Sequence, residues 1–501
     1  MSAERRVRHG RPSFGPTIDL RPIGLVSGTL LIVLAIFMVP SMIADLAAGH
    51  ADWQVFFVTA CATCFIGTAL VLTNRGTFSG GITTRQGFLL TTIAWLVTSV
   101  FAAIPFMLCE LEMTVADSIF EAVSGITTTG ATVIIGLDFA PPGLLLWRAI
   151  LQWLGGIGII VMGIAILPML NIGGMQLFRT ENSDRSDKIL PRTAQIASNI
   201  GLVYVGLSGL CAFFYYLAGM NWFDAVAHSM TTISTGGLST RDSSIGGFGS
   251  MGIEWTSILF MILSGMPFVL YIQAVRGNRQ PLLQDVQARW YLCIVAIGTI
   301  ALTSEHIIVS GTYPSVEETV RHSVFATITV MTGTGYSSDD YNQWGTLAVA
   351  TIFFFSCLGG CTGSTTGGIK IFRIVILYQV ARVQVMRLFQ PSGVFRVLYN
   401  HRPIGEEMTT SVLAFIFLFG LTFALVALAL SVTGLSFVTA MSGSIAALAN
   451  VGPGLGPVIG PAGNYQPVPD AAKWVLSFAM LFGRLELFTI LVLFVPAFWR
   501  N

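Results

Sequence analysis

Phe120-Glu-Ala-Val-Ser-Gly-Ile-Thr-Thr-Thr-Gly-Ala-Thr132 decides the fold, because it sets a half-polar run with a glycine turn between two long apolar stretches. It recurs. Aligned on one glycine, the copies read Thr128-Thr129-Gly130-Ala131, Ser234-Thr235-Gly236-Gly237, Gly333-Thr334-Gly335-Tyr336 and Asn450-Val451-Gly452-Pro453, with the glycines 106, 99 and 117 residues apart. Four copies imply fourfold pseudo-symmetry. Each follows roughly three turns of apolar and small residues, at Ala116–Thr127, Asp224–Thr232, Arg321–Thr332 and Phe437–Leu448. A bilayer crossing needs about 20 residues, so these runs predict re-entrant pore helices. Non-helical chain at membrane depth is tolerated only where it lines water or protein. Glycine before small and hydroxylated residues lets successive carbonyls converge and replace an ion's hydration shell. The negative C-terminal ends of the short helices add attraction for a cation.

The chain has 501 residues, of which 53% are hydrophobic and 10% charged, a balance that overrides a multi-domain soluble reading in favour of a membrane protein. The net charge of +1 decides nothing, but its distribution does. Lys and Arg gather before the first span (Arg5, Arg6, Arg8, Arg11, Arg21) and in alternate connections: Arg75 and Arg85; Arg179, Arg185, Lys188 and Arg192; Arg276, Arg279 and Arg289; Lys370 through Arg402. The positive-inside rule makes these cytoplasmic. The opposite connections carry Glu110, Glu112, Asp117 and Asp138, or Glu305, Glu317, Glu318, Asp339 and Asp340, so the glycine loops open outward onto a face that attracts cations.

The fold predicted is an all-α polytopic membrane protein with four pseudo-symmetric helix–pore-loop–helix repeats around one central pore, preceded by a two-helix hairpin. A basic tail covers 1–22 and the hairpin 23–86, with spans at Ile23–Ile43 and Val55–Leu72. Repeat one covers 87–170, a cytoplasmic connection 171–196, repeat two 197–275, repeat three 276–405 and repeat four 406–501. The expected second spans are Trp147–Leu170, Trp255–Val275, Thr346–Tyr378 and Lys473–Phe498. Ten spans result, with both termini cytoplasmic. The polar connection 171–196 reads as a solvated linker or a partner-facing segment. Ile376–Arg402, apolar on one face with Arg382, Arg387 and Arg396 on another, suits a membrane-surface helix or a docking face.

Gly359-Gly360-Cys361-Thr362-Gly363-Ser364-Thr365-Thr366-Gly367-Gly368 interrupts the second span of repeat three. Each glycine costs a helix about 1 kcal/mol relative to alanine, so five in ten residues break it. A phosphate-binding loop is disfavoured because no Gly-Lys-Ser/Thr ending follows. The better reading is a flexible intramembrane loop able to block or clear an ion path. Arg484 lies mid-span, where a charge costs at least about 2.5 kcal/mol and must face protein or water. Either it pairs structurally with Glu486 or pore-helix carbonyls, or it is a fixed positive charge beneath the filter. Gly155-Gly156-Ile157-Gly158 follows no strand and reads as close helix packing. The seven cysteines, including Cys61 and Cys64, read as buried structural thiols. His228 and His322 read as locally satisfied. No catalytic triad, carboxylate pair or metal-ligand constellation is evident, so neither an enzyme, a cofactor site nor a nucleic-acid partner is expected.

On Thr-Thr-Thr-Gly130-Ala-Thr, Ser-Thr-Gly236-Gly, Thr-Gly-Thr-Gly335-Tyr-Ser, Asn-Val-Gly452-Pro-Gly, the Gly359–Gly368 loop and Gly-Arg484-Leu-Glu, the chain from about Ile23 onward resembles the Trk, Ktr and HKT potassium transporters. The leading hairpin makes it most similar to the bacterial TrkH/TrkG branch. That resemblance implies potassium uptake across the bacterial inner membrane, with potassium as the transported ion, a homodimer, and gating by a cytoplasmic nucleotide-binding subunit of TrkA type. It also implies that Thr128, Thr129, Gly130, Ser234, Thr235, Gly236, Gly333, Thr334, Gly335, Asn450, Val451 and Gly452 form the filter, that Gly359–Gly368 is the gate, and that Arg484 lies under the filter. Relatives with serine at the first filter position favour sodium, so Gly130 implies potassium; Val451 departs from the commoner threonine. The alternatives are a proton- or sodium-coupled symporter and a membrane sensor without flux.

Overall fold

The computed structural model describes residues 19–76, 83–162, 189–310, 315–400 and 402–500. Residues 1–18 of the basic tail, the end of the first repeat and most of the 171–196 connection lie outside the described residues. Two long apolar helices open the fold, α1 (Arg21–Ala48) and α2 (Trp53–Thr73). They pack as an antiparallel pair in which the backbone oxygen of each of Gly28 and Gly67 occupies the space a Cβ on the other would need.

After the hairpin, a long helix, a short helix and a second long or broken helix follow four times. The first set is α3 (Thr84–Leu108), α4 (Val115–Ile126) and α5 (Pro142–Val161). The second is α6 (Ile189–Leu217), α7 (Trp222–Ile233), α8 (Met251–Ser264) and α9 (Phe268–Val275). The third is α10 (Val286–Ser310), α11 (Val316–Met331), α12 (Thr346–Ser356) and α13 (Ile371–Phe389). The fourth is α14 (Glu406–Val432), α15 (Phe437–Leu448), α16 (Asp470–Arg484) and α17 (Leu487–Leu491). Among the described residues, seven helices are long and apolar enough to cross a membrane, or nine if each bent pair is one span.

Each short helix starts at the same device. The side chains of Thr114, Asn221, Ser315 and Ser436 accept hydrogen bonds from the backbone N–H groups of Asp117, Asp224, Glu318 and Thr439, three residues on. These caps satisfy donors the first turn leaves free, and the acids at three of the four positions favour the positive helix end.

The second spans depart from expectation. Only that of the third set was expected to break, yet α8 and α9 meet at 92° and the pair beginning at α16 is bent by 110°. Pro267, with no N–H, cannot continue α8. The groups freed there are paired by the glycine-rich segment: Gly265 accepts from the Cys361 N–H, and Phe268 donates to the Gly363 carbonyl, each at 2.9 Å. At the other bend Glu486 has φ +57°. The thiols differ as well: Cys61, Cys64 and Cys293 are exposed on apolar helices, where lipid would meet them, while Cys109, Cys211 and Cys361 are buried. In the 376–402 stretch, α13 ends at Phe389 with Val385, Leu388 and Phe389 exposed, and a two-residue hairpin, Leu398–Tyr399 with Arg402–Pro403, follows.

Candidate functional site

The chain leaves each short helix through the same backbone path. Thr128, Thr235, Gly333 and Asn450 take φ of +54°, +52°, +69° and +55°, and two residues later Gly130, Gly237, Gly335 and Gly452 take +84°, +76°, +76° and +98°. Between them, the N–H groups of Thr129, Gly236, Thr334 and Val451 donate to carbonyls five residues back, at 2.8 to 2.9 Å. This register corrects the alignment in the second copy. The counterpart of Gly130 is Gly237, not Gly236, and the matching triplet is Thr235, Gly236 and Gly237 rather than Ser234, Thr235 and Gly236. Ser234 is instead the C-cap of α7, equivalent to Thr127.

The four loops meet in cyclic order. A Cβ on Gly130 would strike the carbonyl of Gly236, one on Gly237 that of Thr334, one on Gly335 that of Val451, and one on Gly452 that of Thr129. Left-handed backbone and the absence of side-chain volume are both required there. Side chains lock the backs of the loops. Gln152 donates to the Gly236 carbonyl at 2.6 Å, the Tyr336 hydroxyl pairs with Thr231, Asn450 donates to the Thr129 hydroxyl at 2.9 Å, and Tyr465 donates to the Gly452 carbonyl at 2.7 Å. Among the described residues, the carbonyls of Thr128, Thr129, Thr235, Gly333, Thr334, Asn450 and Val451 accept no hydrogen bond, although all seven residues are buried. Buried carbonyls almost always have a partner.

A cavity lies on each side of the ring. One is lined by Gly130, Gly237, Gly335 and Pro453 together with Arg148, Arg241 and Asp242. At its rim the Arg241 guanidinium bonds Asp138 at 2.9 Å and holds that carboxyl below its ordinary range, while the same bond raises the arginine. The other is lined by Thr362, Gly363, Ser364, Thr366, Gly367, Gly368, Lys370, Arg484 and Glu486. Thr365 of the glycine-rich segment reaches the second loop, its hydroxyl donating to the Ile233 carbonyl at 3.1 Å and lying 3.2 Å from the Thr235 hydroxyl.

The glycine-rich segment is held in place rather than loose. Gly359 donates to Ile369, Thr362 to Gln287 and Gly360 to the Thr366 hydroxyl, and the Lys370 ammonium caps the Thr366 carbonyl. Its glycines allow close approach, for a Cβ on Gly367 would meet the Ala449 carbonyl at the end of α15. Arg484 does not pair with Glu486. It donates through Nη1 to the Thr365 carbonyl at 3.0 Å, and its Nε and Nη2 have no hydrogen-bond partner among the described residues. Glu486 is bonded by Arg373 at 2.7 Å. Lys370 and Arg373, expected at the cytoplasmic surface, are therefore buried, at 8% and 0% exposure.

Sequence reading also missed three ion pairs that join helices inside the fold. Arg148 bonds Glu121 at 2.7 Å, with the side chains 1% and 0% exposed, and reaches the Ser239 carbonyl of the second loop. Lys473 pairs with Asp117 at 2.6 Å, joining α16 to α4, and Arg321 pairs with Glu254, joining α11 to α8. The spacing signal that finds these short helices is Thr/Asn/Ser-x-x-Asp/Glu/Thr at their starts, which glycine counting overlooks. His228 is satisfied locally by the Asp224 carbonyl and Ser239, and Gly155 and Gly156 do serve close packing, against Ile126 and Ser234.

Residues 53–501 match the family model TrkH, cation transport protein. The chain belongs to the TrkH family. This is a family of multi-pass membrane transporters, not enzymes. The Trk system potassium uptake protein TrkI of Halomonas elongata is 45% identical over 96% of this chain and 97% of its own. TrkH of Escherichia coli K12 is 36% identical, over 97% of this chain and 100% of its own. The crystal structure of the potassium transporter TrkH from Vibrio parahaemolyticus superposes with a TM-score of 0.88 at 32% identity, covering 96% of this chain and 100% of that one.

Proposed function

We propose that this TrkH-family chain carries potassium into the cell across the bacterial inner membrane, with the four loops as its filter. The observation that carries the proposal is the set of seven carbonyls of buried residues without hydrogen-bond donors among the described residues, gathered where four loops meet. A dehydrated cation is the partner such oxygens suit. Similarity to proteins named for potassium uptake selects the ion. The filter comprises Thr128, Thr129, Gly130, Thr235, Gly236, Gly237, Gly333, Thr334, Gly335, Asn450, Val451 and Gly452. Gly359–Gly368 with Arg484 is the gate, because it lines the cavity on the far side of the ring from Arg241.

Both termini are cytoplasmic in this reading, in keeping with the basic connections. The chain works as a homodimer, and a nucleotide-binding subunit acts through the exposed apolar and basic end of α13. Rubidium and sodium flux in proteoliposomes at clamped voltage and varied pH is the test. Voltage-driven rubidium flux that exceeds sodium flux and ignores a proton gradient supports a channel-like pore. Uphill uptake driven by a proton or sodium gradient replaces it with a coupled symporter, and no flux in well-folded protein overturns the transport reading.

A further inference from the structure

We propose that His50, Asp52 and Glu110 form a divalent-cation site of the zinc class at the seam between the N-terminal hairpin and the first repeat. One donor atom from each residue lies within 4.8 Å of the other two. His50 Nε2 is 3.7 Å from a Glu110 oxygen, and the Glu110 N–H faces Asp52 Oδ2 at 3.5 Å. Two residues come from the α1–α2 turn and the third from just beyond α3, so no linear motif announces the cluster.

A second observation points to a missing cation. Asp45, 0% exposed, accepts the His50 N–H at its backbone carbonyl at 2.9 Å and the Gly143 N–H at Oδ1, while its Oδ2 has no hydrogen-bond partner among the described residues. No lysine or arginine bonds Asp52 or Glu110 among the described residues, so the two carboxylates of the cluster have only the His50 imidazole beside them. An imidazole and carboxylates suit zinc, which they bind at about 2.0 to 2.2 Å with a position left for water. Asp52 is 3% exposed while Glu110 faces solvent, which gives the ion an entry side.

The test is titration of tag-free, detergent-purified protein with zinc chloride, by calorimetry and X-ray absorption. It is run in wild type and in Cys61→Ser/Cys64→Ser, which removes exposed thiols that compete for zinc. One zinc per chain with nitrogen and oxygen neighbours only is expected, with affinity at least tenfold weaker in Asp52→Asn. Glu110→Gln, at a solvent-facing position, repeats the test should Asp52→Asn fold poorly. Equal affinity in wild type and both variants, sulfur in the first shell, or no stoichiometric binding overturns the site.

Discussion

Gly130 is where backbone conformation and packing make the same demand: φ is +84° and the Gly236 carbonyl fills the space of a Cβ. A left-handed conformation costs an L-residue about 1–2 kcal/mol before any clash is counted. Gly130→Ser is therefore expected to displace the first loop and to lower the rubidium-to-sodium flux ratio by roughly tenfold, the equivalent of about 1.4 kcal/mol. An unchanged ratio in folded protein removes Gly130 from the filter. Arg484 is a different kind of residue, a buried cation with no carboxylate partner among the described residues. Arg484→Ala should raise flux per folded molecule, again by roughly tenfold if it relieves about 1.4 kcal/mol of repulsion. Because Glu486 belongs to Arg373, Arg484→Ala/Glu486→Ala should fold no better than Arg484→Ala. Recovery of yield and melting temperature in the double variant, at wild-type flux, ends the pore-charge reading.

Among elements, the glycine-rich segment bears the most specific expectation. It is bonded to the bend after α8, to Gln287 and to Arg484, so removing Thr362–Thr366 deletes the piece that joins the ring to the inner cavity. Basal flux normalised to folded protein should rise and the response to a cytoplasmic partner should weaken. Since Thr365 touches Thr235, the ion preference should shift slightly, by less than in Gly130→Ser. Unchanged basal flux with an intact partner response excludes the segment as a gate. This element and the four short helices were legible because glycine and hydroxyl clusters punctuate apolar sequence. The register of the second loop was not, since adjacent Gly236 and Gly237 fit either alignment and only the hydrogen-bond pattern chooses. Gly265-Met266-Pro267 carried a breaker signal in plain sight, whereas Glu486 at φ +57° has no local signature. Lys370 and Arg373 were misplaced because charge counting locates surface residues and cannot detect that Thr366 and Glu486 receive them inside.

At the scale of the whole molecule, buried ion pairs join one part of the ring to another. Glu121 and Arg148 tie the first short helix to α5 and to the second loop, and Asp117 with Lys473 ties that helix to the fourth set. Removing one partner of a buried pair typically costs about 3–5 kcal/mol, because the other charge is left alone. Arg148→Met should therefore lower thermal stability strongly in detergent, and Arg148→Met/Glu121→Gln should recover much of the loss. Equal instability of both variants shows that the Ser239 contact, not the ion pair, matters. The closure of the loops also has a consequence for biogenesis. Gly452 leaves the ribosome 322 residues after Gly130, and at about 5–20 residues per second that is a delay of roughly 15 to 65 s. Throughout that interval the nascent first quarter sits in the bilayer with Asp117 lacking Lys473 and the Thr129 carbonyl lacking its neighbour, exposed to whatever chaperone or translocase shields unfinished membrane chains.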